Sequence, residues 1–244
     1  MLNRQALFDE LVTANRILAN EGVMDAFGHV SMRDPENPQR YILSRARPPE
    51  RIERGDIMVF ELDGTPVDPS IGKPYLERHI HGAIYEARPD VHAVVHSHSR
   101  SVVPFTVSST RLRPIVHSCA TIGCDVPVWD AQTTFGDTNL LISSMAMGRD
   151  FAGVLAGNAS ALMRGHGSTV VGESLRAVVY TAVYLEVNAQ LQMNAMRLGD
   201  VKYLTPGEVE TICSRLRDAK PGEGYDRGWE YWCGRVGIEF RPAS

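Results

Sequence analysis

Val91-His92-Ala93-Val94-Val95-His96-Ser97-His98 is the stretch whose reading decides the fold. Small apolar and polar residues alternate along it, which is the period of a β-strand. Residues two apart in a strand point to the same face, so His96 and His98 project side by side, within reach of one cation. Imidazole nitrogen suits zinc and its neighbours in the first transition row. A histidine pair at a strand end also occurs as a hydrogen-bonded surface feature, and two further stretches bear on the choice.

One lies just upstream. Residues 75–88 read as a helix, with Ile80, Ala83, Ile84 and Ala87 on one face and Pro89 ending the run. Glu77 and His81 stand four apart and stack on a neighbouring face. A glutamate in a first turn also favours the helix dipole, whatever else it does. The helix leads directly into the histidine strand, so its first turn can fold back towards that strand's end. The other stretch is Ala161-Leu162-Met163-Arg164-Gly165-His166-Gly167-Ser168, a short apolar strand running into a histidine between glycines. Glycines there permit a sharp turn and close approach. Three neutral nitrogen ligands with a vacant position are what an open, catalytic zinc-type site requires.

Glu77, the His96-Ser97-His98 pair with Arg88-Pro89-Asp90-Val91 before it, and the Gly165-His166-Gly167 turn together resemble the class II aldolase/adducin family, over roughly residues 5–200. That family includes sugar-phosphate aldolases, epimerases and decarboxylases. The resemblance implies that His96, His98 and His166 hold one divalent metal ion per subunit, zinc first, with manganese, cobalt or iron(II) as alternatives. It implies that Glu77 is the acid/base, touching the metal when no substrate is present. The implied fold is α/β: three layers, with a central, mainly antiparallel sheet flanked by helices. A homotetramer with active sites between subunits is implied as well. Periodicity and composition alone support only mixed α and β.

The chain is 43% hydrophobic and 22% charged over 244 residues, which suits one large core and one domain spanning 1–244. A net charge of −4 with no basic stripe argues against nucleic acid. No signal peptide or membrane-spanning apolar run is read, and Cys119, Cys124, Cys213 and Cys233 form no zinc-knuckle or disulfide pattern. The expectation is a cytoplasmic protein with reduced thiols.

The substrate is read from departures from the family pattern. Sugar-phosphate members carry a Gly-Asn-x-Ser turn where this chain has Gly28-His29-Val30-Ser31. Their Thr-Pro-x-Gly-like phosphate turn gives way here to Arg45-Ala46-Arg47-Pro48. Two serines that precede their glutamate are replaced by Tyr75 and Leu76. Three phosphate contacts change together while the metal set is intact, so the expected substrate is a carboxylated small molecule. Arginine's planar fork suits a carboxylate, so His29, Arg45, Arg47 and Tyr75 are the candidate substrate-binding residues. Two solvated loop arginines are the plain alternative. By resemblance, His117 joins Glu77 as a candidate catalytic residue. A structural histidine is equally in keeping with the sequence.

Elsewhere, residues 3–21 read as an amphipathic helix ended by Gly22, and strands are expected at 41–44, 57–62, 126–129 and 168–172. A helix is expected at 139–148, capped by Asp137 or Thr138, and a long one at 173–198. Thr205-Pro206-Gly207-Glu208 is a capping box opening a helix to about Ala219. The tail, 220–244, holds Tyr225, Trp229, Tyr231 and Trp232 and reads as an interface or lid, with packing on the chain's own core as the alternative. The leading expectation is a metal-dependent decarboxylase acting on a hydroxylated aromatic dicarboxylate or a hydroxy-carboxy-muconic semialdehyde. An aldolase or epimerase for a sugar or hydroxy-keto acid comes second, and a non-catalytic adducin-like scaffold third.

Overall fold

The structure is a computed structural model and describes residues 4–240. One seven-stranded sheet organises it: β1 (His29–Arg33), β2 (Arg40–Ser44), β3 (Ile57–Glu61), β4 (Ala93–Ser97), β5 (Val128–Trp129), β6 (Ser160–Met163) and β7 (Gly167–Gly172). Their spatial order is β3-β2-β1-β4-β7-β6-β5. Every pairing is antiparallel except the short β5–β6 edge. The helices are α1 (Arg4–Asn20), α2 (Arg78–Ala87), α3 (Val103–Thr106), α4 (Ala131–Phe135), α5 (Met145–Leu155), α6 (Leu175–Leu198), α7 (Pro206–Arg217) and α8 (Tyr225–Arg235).

Alternation along the strands divides the core into two layers. Val30, Ile42, Ala93, Val95 and Val170 face α1, α6 and α8. Tyr41, Leu43, Val94, Met163 and Val171 face α2 and α5. Because side chains in a strand alternate faces, His29, Ser31 and His96 fall on the α2 side with Val94. The three-layer, mainly antiparallel α/β arrangement expected from the family resemblance is the one found. None of the described helices is long and apolar enough to cross a membrane.

Three local expectations are corrected. The helix expected at 139–148 begins instead at Met145, with the Ser144 side chain accepting from the Met147 N–H. Thr138 and Asn139 spend their side chains on the Leu140 and Leu141 N–H groups, and Leu140 is left-handed at φ 65°. That conformation breaks a helix and leaves the Ile142 N–H to a different acceptor. The helix expected from residue 75 starts at Arg78, so Tyr75 and Leu76 lie in the approach and Glu77 takes the N-cap position. The aromatic tail, for which no helix was expected, carries Tyr225, Trp229 and Trp232 spaced four and three apart on α8. Trp229 and Trp232 are buried in the core with α1 and α6, and among these aromatics Tyr231, 60% exposed, stays at the surface. Residues 241–244 of the proposed lid lie outside the described residues. The Thr205 capping box forms as read, with both reciprocal bonds present.

Candidate active site and metal centre

β4 ends at Ser97, carrying His96 on the strand and His98 just past it. Its two neighbours are fixed by register: His96 pairs with His29 of β1 and with Thr169 of β7. The chain reverses between β6 and β7 through Gly165, at φ 65°, which turns His166 back towards β4. Gly167 then makes the approach possible. A Cβ there would lie 2.2 Å from the Ser97 carbonyl oxygen and 2.9 Å from His98 Cδ2, so only glycine lets β7 close on β4 at this point.

The result is a convergence of four side chains from three parts of the sequence. His98 Nε2 lies 3.1 Å from His96 Nε2 and 2.9 Å from His166 Nε2. Glu77 Oε2 is 3.5 Å from both His96 Nε2 and His166 Nε2. All four ligand atoms fall within 4.8 Å of one another. His96 Nδ1 sits 3.1 Å from the Ser168 carbonyl oxygen, which can only accept. The proton is therefore on Nδ1, and the Nε2 lone pair points into the cluster. Lone pairs of several neutral imidazoles at such separations repel one another unless a cation lies between them. Two nitrogens bound tetrahedrally at 2.0–2.1 Å stand about 3.3 Å apart, close to what is seen. The residues present thus fit a divalent ion of the zinc class. Burial, with repulsion from His96 and His166, pushes His98 down to about 4, which keeps it neutral as a ligand must be.

Glu77 is placed by its helix without serving it. Its side chain makes no capping bond, and its Oε1 accepts from the Ile142 N–H at 3.0 Å. A residue that serves as an acid near neutral pH needs a raised proton affinity. That is not what the site provides: burial alone pushes the carboxyl up, but positive charge at the cluster, carried by His166 and His96 or by a cation bound between them, holds it below its ordinary value. Glu77 is therefore ionised, a base or ligand at rest and not an acid.

The other candidates are distributed unevenly. His29 is buried with its ring 5.0 Å from that of His96 and 4.6 Å from that of Tyr75. Tyr75 donates its hydroxyl to the Arg47 carbonyl at 2.5 Å, tying the arginine loop to the wall beside His29. Arg45 and Arg47 converge on buried Asp56, at 2.6 and 2.5 Å. His117 opens a 3-10 turn, is exposed, and makes no hydrogen bond among the described residues; it is not in the metal cluster. Sequence reasoning missed Asp56 and the Ile142 N–H, and it noted His81 beside Glu77 without its link through Ser31 and Tyr85 to the back of His29. The one available signal was His81, four residues beyond Glu77.

Comparison with known proteins agrees with this geometry. Residues 9–193 match the family model described as Class II Aldolase and Adducin N-terminal domain. The chain is 36% identical over 200 residues to the decarboxylase tropJ of Talaromyces stipitatus, covering 77% of this chain and 75% of that protein. It is 27% identical over 240 residues to a 3,4-dihydroxyphthalate decarboxylase of Terrabacter sp., covering 92% and 94%. The L-fuculose 1-phosphate aldolase of Glaciozyma antarctica has the same fold, with a TM-score of 0.73 at 24% identity over 98% of this chain and 92% of that one. The histidine cluster, the three-layer sheet and these matches together place the chain in the class II aldolase/adducin family, whose named relatives are lyases.

Proposed function

We propose that this chain is a divalent-metal-dependent decarboxylase acting on a hydroxylated aromatic dicarboxylate or a hydroxy-carboxy-muconic semialdehyde. The observation that carries the reading is a complete three-histidine-and-glutamate cluster walled by His29 and Tyr75, with Tyr75 holding the loop of Arg45 and Arg47. The two decarboxylase relatives support it.

A divalent cation held by His96, His98 and His166 would supply a Lewis acid for the negative charge that develops on a substrate oxygen as the carbon–carbon bond breaks. Glu77 manages the proton. The Ile142 N–H anchors one carboxylate oxygen, leaving the other to take a proton from a substrate hydroxyl and return it to carbon after carbon dioxide leaves. Arg45 and Arg47 orient the carboxylate that stays, with Asp56 holding both guanidinium groups in place. His117, exposed and outside the cluster, enters the reaction across a subunit boundary of the homotetramer that the family resemblance implies. Val187, Leu191 and Leu198, exposed along α6, support a contact with further copies.

The test is a substrate panel on protein loaded in turn with zinc, manganese, cobalt and iron(II). Carbon dioxide release from 3,4-dihydroxyphthalate or a carboxy-muconic semialdehyde is expected, with fuculose and ribulose phosphates untouched. His98→Ala should lose both metal and turnover. Cleavage or epimerisation of the sugar phosphates, with no carbon dioxide from the acids, would replace this reading with the aldolase or epimerase one.

A further inference from the structure

Behind His29 runs a chain of four buried groups. His29 Nδ1 lies 2.6 Å from His81 Nε2, His81 Nδ1 lies 2.6 Å from Ser31 Oγ, and Ser31 Oγ lies 2.8 Å from the Tyr85 hydroxyl. Ser31 and His81 are fully buried, Tyr85 is 1% exposed and His29 3%. Each link uses one proton, and an arrangement in which Ser31 accepted from both neighbours would leave its own buried proton without an acceptor, so the whole chain has only two self-consistent directions.

The tyrosine end decides between them. Among the described residues the Tyr85 hydroxyl has Ser31 as its one hydrogen-bond partner. If Ser31 donated to it, the Tyr85 proton would point into the core with no acceptor, which buried donors avoid. Tyr85 therefore donates to Ser31, Ser31 donates to His81 Nδ1, and the His81 Nε2–H donates to His29 Nδ1. His29 must then carry its own proton on Nε2. That nitrogen has no hydrogen-bond partner among the described residues, and the ring that carries it has its centroid 4.6 Å from that of Tyr75 and 5.0 Å from that of the ligand His96.

We propose that Tyr85, Ser31 and His81 are positioning residues that lock His29 as the Nε2–H tautomer, a fixed hydrogen-bond donor to a substrate oxygen beside the metal centre. The polarity rests on the hydrogen-bond chain alone. The substrate oxygen it meets rests on the decarboxylase reading. A donor locked in this way discriminates: it welcomes a carboxylate or carbonyl oxygen and gives nothing to a group that can only donate.

Nitrogen-15 NMR of histidine-labelled, metal-free protein reads the tautomers directly, with His29 assigned by the signal lost in His29→Gln. In wild type, His29 and His81 should both be protonated on Nε2 and bare on Nδ1. Ser31→Ala removes the donor to His81 and should convert His29 to a mixture of tautomers. Tyr85→Phe should do the same more mildly, and it carries the test if Ser31→Ala does not fold. On 3,4-dihydroxyphthalate, both variants should raise KM roughly five- to tenfold while zinc content is unchanged. A wild-type His29 protonated on Nδ1 would overturn the proposal, as would two variants that leave its tautomer pure. Absence of turnover by wild type would count against the decarboxylase reading and leave the tautomer result standing.

Discussion

Gly167→Ala should separate the metal ligands without touching any of them. The added methyl would sit 2.2 Å from the Ser97 carbonyl oxygen, and both neighbours are main chain or a ligand ring. Reaching even 3.0 Å requires β4 and β7 to part by about 0.8 Å, at the point where His98 leaves one strand and His166 enters the other. Forcing a methyl into such a packed contact typically costs about 1–3 kcal/mol. For a chain of this size that is a fall in Tm of roughly 2–12 °C, measured on metal-free protein. The second effect is geometric. The two histidine nitrogens now stand 2.9 Å apart, and a shift approaching 1 Å at one of them spoils tetrahedral coordination. A misplacement of that size is worth on the order of a hundredfold in turnover. The assay is chelator competition for zinc beside a turnover measurement, with Ser168→Ala as a control in the same strand. If Gly167→Ala binds zinc as tightly as wild type and turns over normally, the claim that this glycine sets the ligand spacing is wrong.

Glu77→Gln should keep fold and metal while turnover falls by about two orders of magnitude or more; near-normal turnover would remove Glu77 from the proton step. Arg45→Ala and Arg47→Ala should each lower kcat/KM roughly ten- to a hundredfold, with lysine restoring only part. Values within twofold of wild type would leave both arginines as partners of Asp56 and nothing more. Asp226 is buried, which pushes its carboxyl up, but the Gly222 N–H and Arg176 hold it below its ordinary value. Its stabilising contribution is therefore present above about pH 4 and lost as pH falls through the lower folded value. Asp226→Asn should cost about 2 kcal/mol at neutral pH, and the gap to wild type should close in urea melts taken at progressively lower pH. A gap independent of pH would deny the carboxylate that role.

Much of the fold was legible because its signals are local. The alternation through Val94, His96 and His98, the capping box at Thr205 and the apolar stripe of residues 173–198 depend on neighbours within a few positions. Periodicity alone reaches that far and no further, so strand order and layers came from family resemblance. The three histidines and Glu77 were legible as candidates because metal chemistry restricts residue type so strongly. The errors share a cause. Residues 139–148 have helical composition, but the Ile142 N–H goes to Glu77, 65 positions away, and a local reading has no access to that acceptor. Asp56 as the shared partner of Arg45 and Arg47 was missed in the same way, because it comes into register with them only when β2 and β3 pair.

The ionisation of Glu77 and the tautomer of His29 belong wholly to the tertiary structure. Both depend on which group sits a hydrogen bond away in a water-poor interior, where one partner more or less reverses the preferred protonation state. Sequence spacing names the residues that can carry a proton. Only the packing of β1, β4, β7 and α2 against one another decides where that proton rests.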